Sequence, residues 1–220
     1  PFKIIGNSAK SQWYDKISIK YTMNTQNTIS TADSLLFTRT SLSKFRNGMK
    51  HSIPISSSIR LFKHFNLNPS FNLTERWYLN QIHKTWNTSD STLKTDTIHK
   101  FTRGHSYNIS TNLNTKIYGL LEFNKSKIAG IRHVITPSLS FSYTPDFSDQ
   151  KYGYYKTTQI NENGEAQRYS IMSNGIYGSP SNRRNGNINF SLGNILDMKV
   201  RNKKDTTESL KKIKLIESLS

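Results

Sequence analysis

The chain reads as all-β: an antiparallel up-and-down transmembrane β-barrel, present as an incomplete open curved sheet of about seven strands. Three observations predict this. Apolar residues recur at every second position over long runs, which is the signature of a strand with two unlike faces. The composition is 34% hydrophobic, yet 11% aromatic. That is little material for a globular core, but too many large rings for a disordered chain. A barrel with a wet lumen reconciles the two, because only one residue in two along each strand must be apolar. Finally, the connections between runs alternate between long and short, the rhythm of outer loops and periplasmic turns.

No apolar run approaches the roughly 20 residues of a membrane helix; stretches such as Leu35 to Phe37 are typical. Since lipid leaves no backbone amide unpaired, the remaining way to span is a closed barrel.

The elements follow in order. Ile17, Ile19, Tyr21 and Met23 alternate with Ser18, Lys20, Thr22 and Asn24. Met49, His51, Ile53, Ile55, Ile59 and Leu61 share one parity, against Lys50, Ser52, Ser56, Ser58 and Arg60. Leu67, Phe71, Leu73 and Trp77 oppose Asn72, Thr74 and Arg76. Tyr107, Ile109, Leu113 and Ile117 oppose Asn108, Ser110, Asn112 and Lys116. Ile131, Ile135, Leu139, Phe141 and Tyr143 oppose Arg132, Thr136, Ser138, Ser140 and Ser142. Ile188, Phe190, Leu192, Leu196, Met198 and Val200 oppose Asn189, Ser191, Asp197, Lys199 and Arg201. A seventh run begins at Ile213 and Leu215. These runs exceed the typical globular strand of about 5–6 residues and reach the roughly 9–11 needed to cross a membrane.

The connections expected are Thr25–Asn47 (long), Phe62–Phe65 (short), Asn80–His99 (long), Leu121–Lys127 (short), Asp146–Asn185 (long and the largest) and Asn202–Leu210 (short). Asn163-Gly164 marks a hairpin inside the largest loop. Trp13, Tyr14, Trp77, Tyr78, Tyr118 and Tyr143 fall near expected strand ends, where interfacial girdles place aromatic rings. Ile19, Ile53, Leu73, Ile109, Leu139 and Phe190 are expected to face lipid.

The formal charge of +17 raises nucleic acid as a partner. A nucleic-acid-binding sheet needs basic and aromatic residues on one face; here they segregate to opposite parities, so no nucleic acid partner is expected. The cations otherwise decorate loops or meet an anionic ligand such as lipopolysaccharide phosphate. Eight share the polar parity and should face the lumen: Lys20, Lys50, Arg60, Arg76, Lys116, Arg132, Lys199 and Arg201. Hydration or pairing with a plug is the ordinary role; contact with lipid phosphates is the functional one. No cysteine is present, so disulfides and thiolate metal sites are excluded within this stretch. The start at Pro1 and the stop inside an alternating run are read as boundaries of a piece of a longer protein, 1–220 being one partial barrel domain.

The run Ile131 to Asp149, IRHVITPSLSFSYTPDFSD, resembles the C-terminal barrel of the LptD family of lipopolysaccharide assembly proteins. HSIPIS with FNLNPSFNLTERWY (His51–Ser56, Phe65–Tyr78), YSIMSNGIYGSPS (Tyr169–Ser181) and NINFSLGNILDMKVRNKKD (Asn187–Asp205) are similar to a divergent branch of it. The opening PFK and WYDKISIKY agree more weakly. The resemblance covers most of the chain from about His51 onward. It implies an outer-membrane location and lipopolysaccharide as cargo, received from periplasmic bridge proteins through an N-terminal jelly roll that this stretch lacks. It also implies a lateral opening, an LptE-like lipoprotein plugging the lumen, and outer-membrane lipids around the barrel. Disulfide control of assembly does not carry over. A porin or nutrient-uptake barrel is the alternative that strand physics alone leaves open.

No enzyme is expected, and no cofactor or metal. His133 lies on an apolar parity near Ser138 and Ser140, more simply an interfacial histidine than part of a hydrolase triad. The six histidines show no metal-ligand spacing, and no glycine-rich phosphate loop is present. Pro54, Pro69 and Pro137 fall within or beside strand patterns. A bulge, a strand end or an edge is the ordinary explanation; a sheet weakened for opening is the functional one, as the family uses prolines near its gate.

Overall fold

The computed structural model describes residues 13–35, 38, 45–124, 126–201 and 210–219. The strands are β1 (Ile17–Ile19), β2 (Thr22–Thr28), β3 (Arg46–Ser57), β4 (Ile59–Leu61), β5 (Phe65–Asn87), β6 (Thr92–Asn114), β7 (Ile117–Glu122), β8 (Ile128–Thr144), β9 (Tyr155–Gln159), β10 (Ala166–Ser170), β11 (Asn185–Arg201) and β12 (Leu210–Leu219). Ten of them form one antiparallel sheet, whose path runs β1-β3-β5-β6-β8-β11-β12. The strands β2, β4 and β7 continue β1, β3 and β6 along the same neighbours. Seven strands thus cross the sheet, and among the described residues β1 and β12 do not meet. The all-β, antiparallel, open sheet expected from the sequence is the one observed.

Register explains why this sequence makes this sheet. Ile19 stands opposite Ile55, then Phe71 and Ile109. Leu67 stands opposite Leu113, Leu139 and Phe190. A one-residue slip would move every one of these side chains to the other face. The polar rows are as regular: Ser70, Ser110, Ser142 and Asn187 form one, and Asn68, Asn112, Ser140 and Asn189 another. Side chains bond along them. Ser70 and Ser110 hydroxyls lie 2.7 Å apart, and the Asn112 amide donates to Ser138 and Ser140 Oγ at 2.8 and 2.9 Å. The apolar face stays uncovered, with Ile188 72% and Phe190 68% exposed.

The three prolines do not sit at bulges, ends or edges. Each lies inside a strand paired on both sides, opposite the place where its neighbour is interrupted. Lys20, between β1 and β2, donates its N–H to the Pro54 carbonyl at 3.0 Å. Thr115, between β6 and β7, does the same to Pro137 at 3.2 Å. Proline has no N–H to return. The register is unchanged across both gaps: Ile19↔Ile55 continues as Thr22↔Ser52, and Asn114↔Ser138 as Ile117↔Ile135. Pro69 stands in the same relation to the β3/β4 break, which lies between Ser56↔Ser70 and Ile59↔Leu67. Each proline deletes a hydrogen bond without shifting the sheet.

The connections need one correction. Asn80–His99 is not a long loop: β5 and β6 run on as a hairpin, 23 residues each, closed by a turn at Thr88–Ser91. Period-two alternation fades above Tyr78, where a register shift falls between Tyr78 and Asn80 and the hairpin leaves the rest of the sheet. The turns at Phe62–His64 and Phe123–Lys127 are short as expected. Much of Thr25–Asn47 and nearly all of Asn202–Leu210 lie outside the described residues. The segment between β8 and β11 is the largest excursion, and it carries the β9–β10 hairpin, with Gly164 at φ 78°.

Candidate functional site

The molecule's hydrophobic core lies on the long-loop end rather than inside the sheet. Tyr78, Phe147, Tyr154, Tyr169, Ile171 and Met172 form it, and all but Tyr78 belong to the segment between β8 and β11. This corrects the placement of Tyr78 in an aromatic girdle. It shares the parity of Arg76, is 2% exposed, and is covered by the loop.

The loop is seated on the polar face by small residues and by carbonyl bonds. A Cβ at Gly48 of β3 would come within 2.9 Å of the Tyr78 ring, and one at Gly104 of β6 within 2.6 Å of Met172. In the loop, a Cβ at Gly175 would lie 2.5 Å from Tyr78 Cζ. Glycine inside a strand marks close approach of another part of the chain, and two wall glycines do so here. Three polar-face groups then hold loop carbonyls. Arg46 Nε donates to Asn174 O at 2.8 Å, Arg76 Nε to Tyr177 O at 3.1 Å, and the Tyr78 hydroxyl to Gly178 O at 2.8 Å. A cavity of about 280 Å³ remains between loop and wall, lined by Arg46, Tyr78, Asn80, Ile82, Ile171 and Asn174 among others.

The loop also satisfies the strand edges that the projecting hairpin exposes. His105 N donates to the Tyr154 hydroxyl at 3.0 Å, Lys84 N to the Tyr169 hydroxyl at 3.1 Å, and Ile82 N to Ile171 O at 2.8 Å. Unpaired edges invite other chains, so this coverage is protective. Burial raises the Tyr154 and Tyr155 hydroxyls above the ordinary tyrosine pKa. Asp146, accepting from Ser148, is held below the ordinary carboxylate value.

On the opposite, apolar face at the same height, rings stand side by side on adjacent strands. The Tyr21 hydroxyl lies 2.7 Å from His51 Nδ1, His51 and Trp77 centroids are 4.2 Å apart, and Trp77 meets Phe101 edge-on at 6.0 Å. The Trp77 indole donates to Glu75 at 2.8 Å, and Glu75 pairs with Arg103. Trp77 is the one residue of the expected girdle that this row contains; the Trp13 side chain lies outside the described residues.

The eight predicted cations are not gathered together. Lys50 and Arg76 stand directly opposite each other near the loop. Lys20 and Lys116 are exposed in the two proline gaps, and Arg60 is exposed opposite Asn66. Arg132 pairs with Asp197, which is 3% exposed and also meets Lys212 Nζ at 3.3 Å. Lys199 is exposed opposite Gly130. Arg201 clasps the β7–β8 turn, donating to the carbonyls of Phe123, Asn124 and Ser126 at 2.7–3.0 Å. His133 bonds Asn194 at 3.2 Å across the β8–β11 pair. The sequence pattern placed Asp197 on the polar parity but not its pairing with Arg132, and it did not single out Arg46, Gly48 or Gly104, the glycines' interruption of strand patterns being the available signal.

An antiparallel sheet of membrane-crossing length, with one apolar and one hydrogen-bonded polar face and its largest loop folded onto the polar one, is the build of an outer-membrane-type β-barrel wall. The family model described as LptD protein matches residues 1–220, and the chain belongs to that family. The family's role is lipopolysaccharide transport and assembly, and its members are outer-membrane proteins. No curated protein and no solved structure matches the chain.

Proposed function

We propose that this chain is part of the barrel wall through which lipopolysaccharide reaches the outer leaflet of the outer membrane. In this reading the apolar face, with Ile19, Ile53, Leu73, Ile109, Leu139 and Phe190, meets lipid. The Asn/Ser face lines the lumen, and the loop 146–184 lies at the cell surface. The Tyr21–His51–Trp77–Phe101 row marks the outer interface, where rings that are apolar at one end and polar at the other are favoured. Phe65 to Trp77 then spans the apolar band, roughly 40 Å of strand at about 3.3 Å per residue. Lys20, Lys50, Arg60, Arg76, Lys116, Arg132, Lys199 and Arg201 face the lumen, toward lipopolysaccharide and an LptE-like plug. Periplasmic bridge proteins and a jelly-roll domain supply the cargo.

The observation that carries this is family membership over the whole chain, together with a register that keeps the two faces distinct on the β3–β5, β5–β6 and β8–β11 seams. The test is depletion of the full protein in its own cell. Newly made lipopolysaccharide should stop reaching the surface, read by its accessibility to an external modifying enzyme, while uptake of small solutes continues. Normal surface delivery with impaired solute uptake would replace this reading with a porin.

A further inference from the structure

Lys50 and Arg76 occupy directly opposite positions on β3 and β5. Like charges in that relation destabilise a sheet, and no neighbour relieves them. The surrounding positions on that face are Asn24, Ser52, Thr74, Ser106, Gly48 and Gly104, all neutral. Glu75 belongs to the other face, held by Trp77 and Arg103. None of the ion pairs among the described residues includes Arg46, Lys50 or Arg76. Arg46 and Arg76 spend their guanidinium donors on neutral main-chain carbonyls of Asn174 and Tyr177 and, for Arg76, on the Ser106 hydroxyl at 2.8 Å.

A carbonyl is a weak partner for a guanidinium. Hydrogen bonds to an ionised acceptor are roughly twice as strong as neutral ones, and a phosphate group offers several such oxygens to a planar fork. We propose that Lys50 and Arg76, flanked by Arg46, form a binding site for a phosphate group beneath the loop, and that its occupation releases residues 174–177 from the wall. Phosphate neutralises the opposed cations and takes the donors that now hold Asn174 and Tyr177, leaving the Tyr78 hydroxyl as the one remaining clasp of the three. The lumen mouth is thereby shut when empty and opened by an anionic cargo. The identity of the cargo as a lipopolysaccharide phosphate rests on the transport reading; the anion site and the latch do not.

The test uses the full protein with its partner lipoprotein in bilayers. These 220 residues contain no cysteine; with any cysteine elsewhere in the full protein and its partner replaced or blocked, spin labels are placed at Asn163→Cys on the loop tip and Ser126→Cys in the turn at the opposite end. Inorganic phosphate, lipopolysaccharide, and lipopolysaccharide stripped of its phosphates are added in turn, and the inter-label distance is read by pulsed resonance. A shift to longer and broader distances with inorganic phosphate supports the site with free phosphate sufficient. A shift with intact lipopolysaccharide alone supports it with the lipid phosphate as source. An equal shift with the stripped lipid, or none with any probe, overturns it. Arg46→Gln with Arg76→Gln should give the released distribution without ligand and abolish the response. Tyr78→Phe, which leaves the cations in place, should loosen the loop yet keep the response. If both variants keep the unliganded distribution, the latch is overturned. Lipopolysaccharide transfer is measured on the same samples. A phosphate response without transfer would retire the transport reading alone, and transfer with an unmoved loop would retire the latch alone.

Discussion

Single residues decide how the loop meets the wall, and glycine does so most sharply. The Tyr78 ring is fixed at one end by its strand and at the other by its bond to Gly178 O, so it cannot turn away from an added methyl at Gly175. The contact would be 2.5 Å, against a rigid ring rather than a flexible chain end. Gly175→Ala is therefore expected to cost about 1–3 kcal/mol of loop seating, the range for overpacking. Trypsin should cut faster at the exposed Arg183–Arg184 pair, while strand amides in β8 and β11 keep their exchange rates. Combining it with Tyr78→Leu, which removes the rigid ring, should restore part of the protection. A wild-type cleavage rate for Gly175→Ala would show that the close approach does not hold the loop. Gly104 makes a softer counterpart, because the atoms it would strike are the Sδ and Cε of Met172.

At the scale of strands, the alternation carried most of the fold, since register follows from it once neighbours are consecutive. Leu139 and Ser140 state the consequence. Leu139 lies between Leu113 and Phe190, and Ser140 between Asn112 and Asn189. An arginine at Leu139 should cost about 2–4 kcal/mol in a bilayer, and one at Ser140 much less; equal costs, measured by unfolding from lipid vesicles, would remove the assignment of faces. What the alternation did not convey was the hairpin above Tyr78. There only Ile82 is buried, beneath the loop, while residues 94–100 are exposed, so the period has little to report and residues 80–99 look like loop. The same limit applied to the polar-face cations: parity put Lys50 and Arg76 on one face, but the bond from Arg76 to the Tyr177 carbonyl depends on a fold-back of about a hundred residues. The prolines add a second prediction at this scale. Pro137→Thr returns an N–H opposite Thr115, a bond of about 0.5–1.5 kcal/mol. The freer unfolded chain offsets this by roughly 0.4–1 kcal/mol. Global stability should hardly change. Amide exchange around Thr115 and Lys116 should slow, and unchanged local exchange would mean the gap has another cause.

Over the whole molecule, two units of different chemistry are joined. The sheet is held chiefly by backbone ladders and by rows of Asn and Ser side chains, with ion pairs at Glu75–Arg103 and Asp197–Arg132, whereas the loop is closed by tyrosine hydroxyls, arginines and Asp146. Acid and base should therefore act on the loop first. Asp146 has a depressed pKa, first because Ser148 donates to it and further because Arg168 and Arg184 stand near. A depressed carboxylate stabilises the folded form above its unfolded value of about 3.9, and that contribution is lost as the pH falls through the lower, folded value. Tyr154 and Tyr155 are shifted up, first by burial. Their contribution is complete below the unfolded value of about 10 and is lost as the pH climbs through the raised, folded one. The sheet's backbone ladders involve none of these three groups, so strand pairing should outlast the loop's closure at both limits. A label on the loop tip at Asn163 should accordingly report a seated loop across a plateau from about pH 4 to 10, set by those two reference values. It should loosen beyond either end while strand circular dichroism stays constant. Loosening near neutral pH would require a titrating group at the loop other than these three, and simultaneous loss of the strand signal would mean that loop and sheet unfold as one.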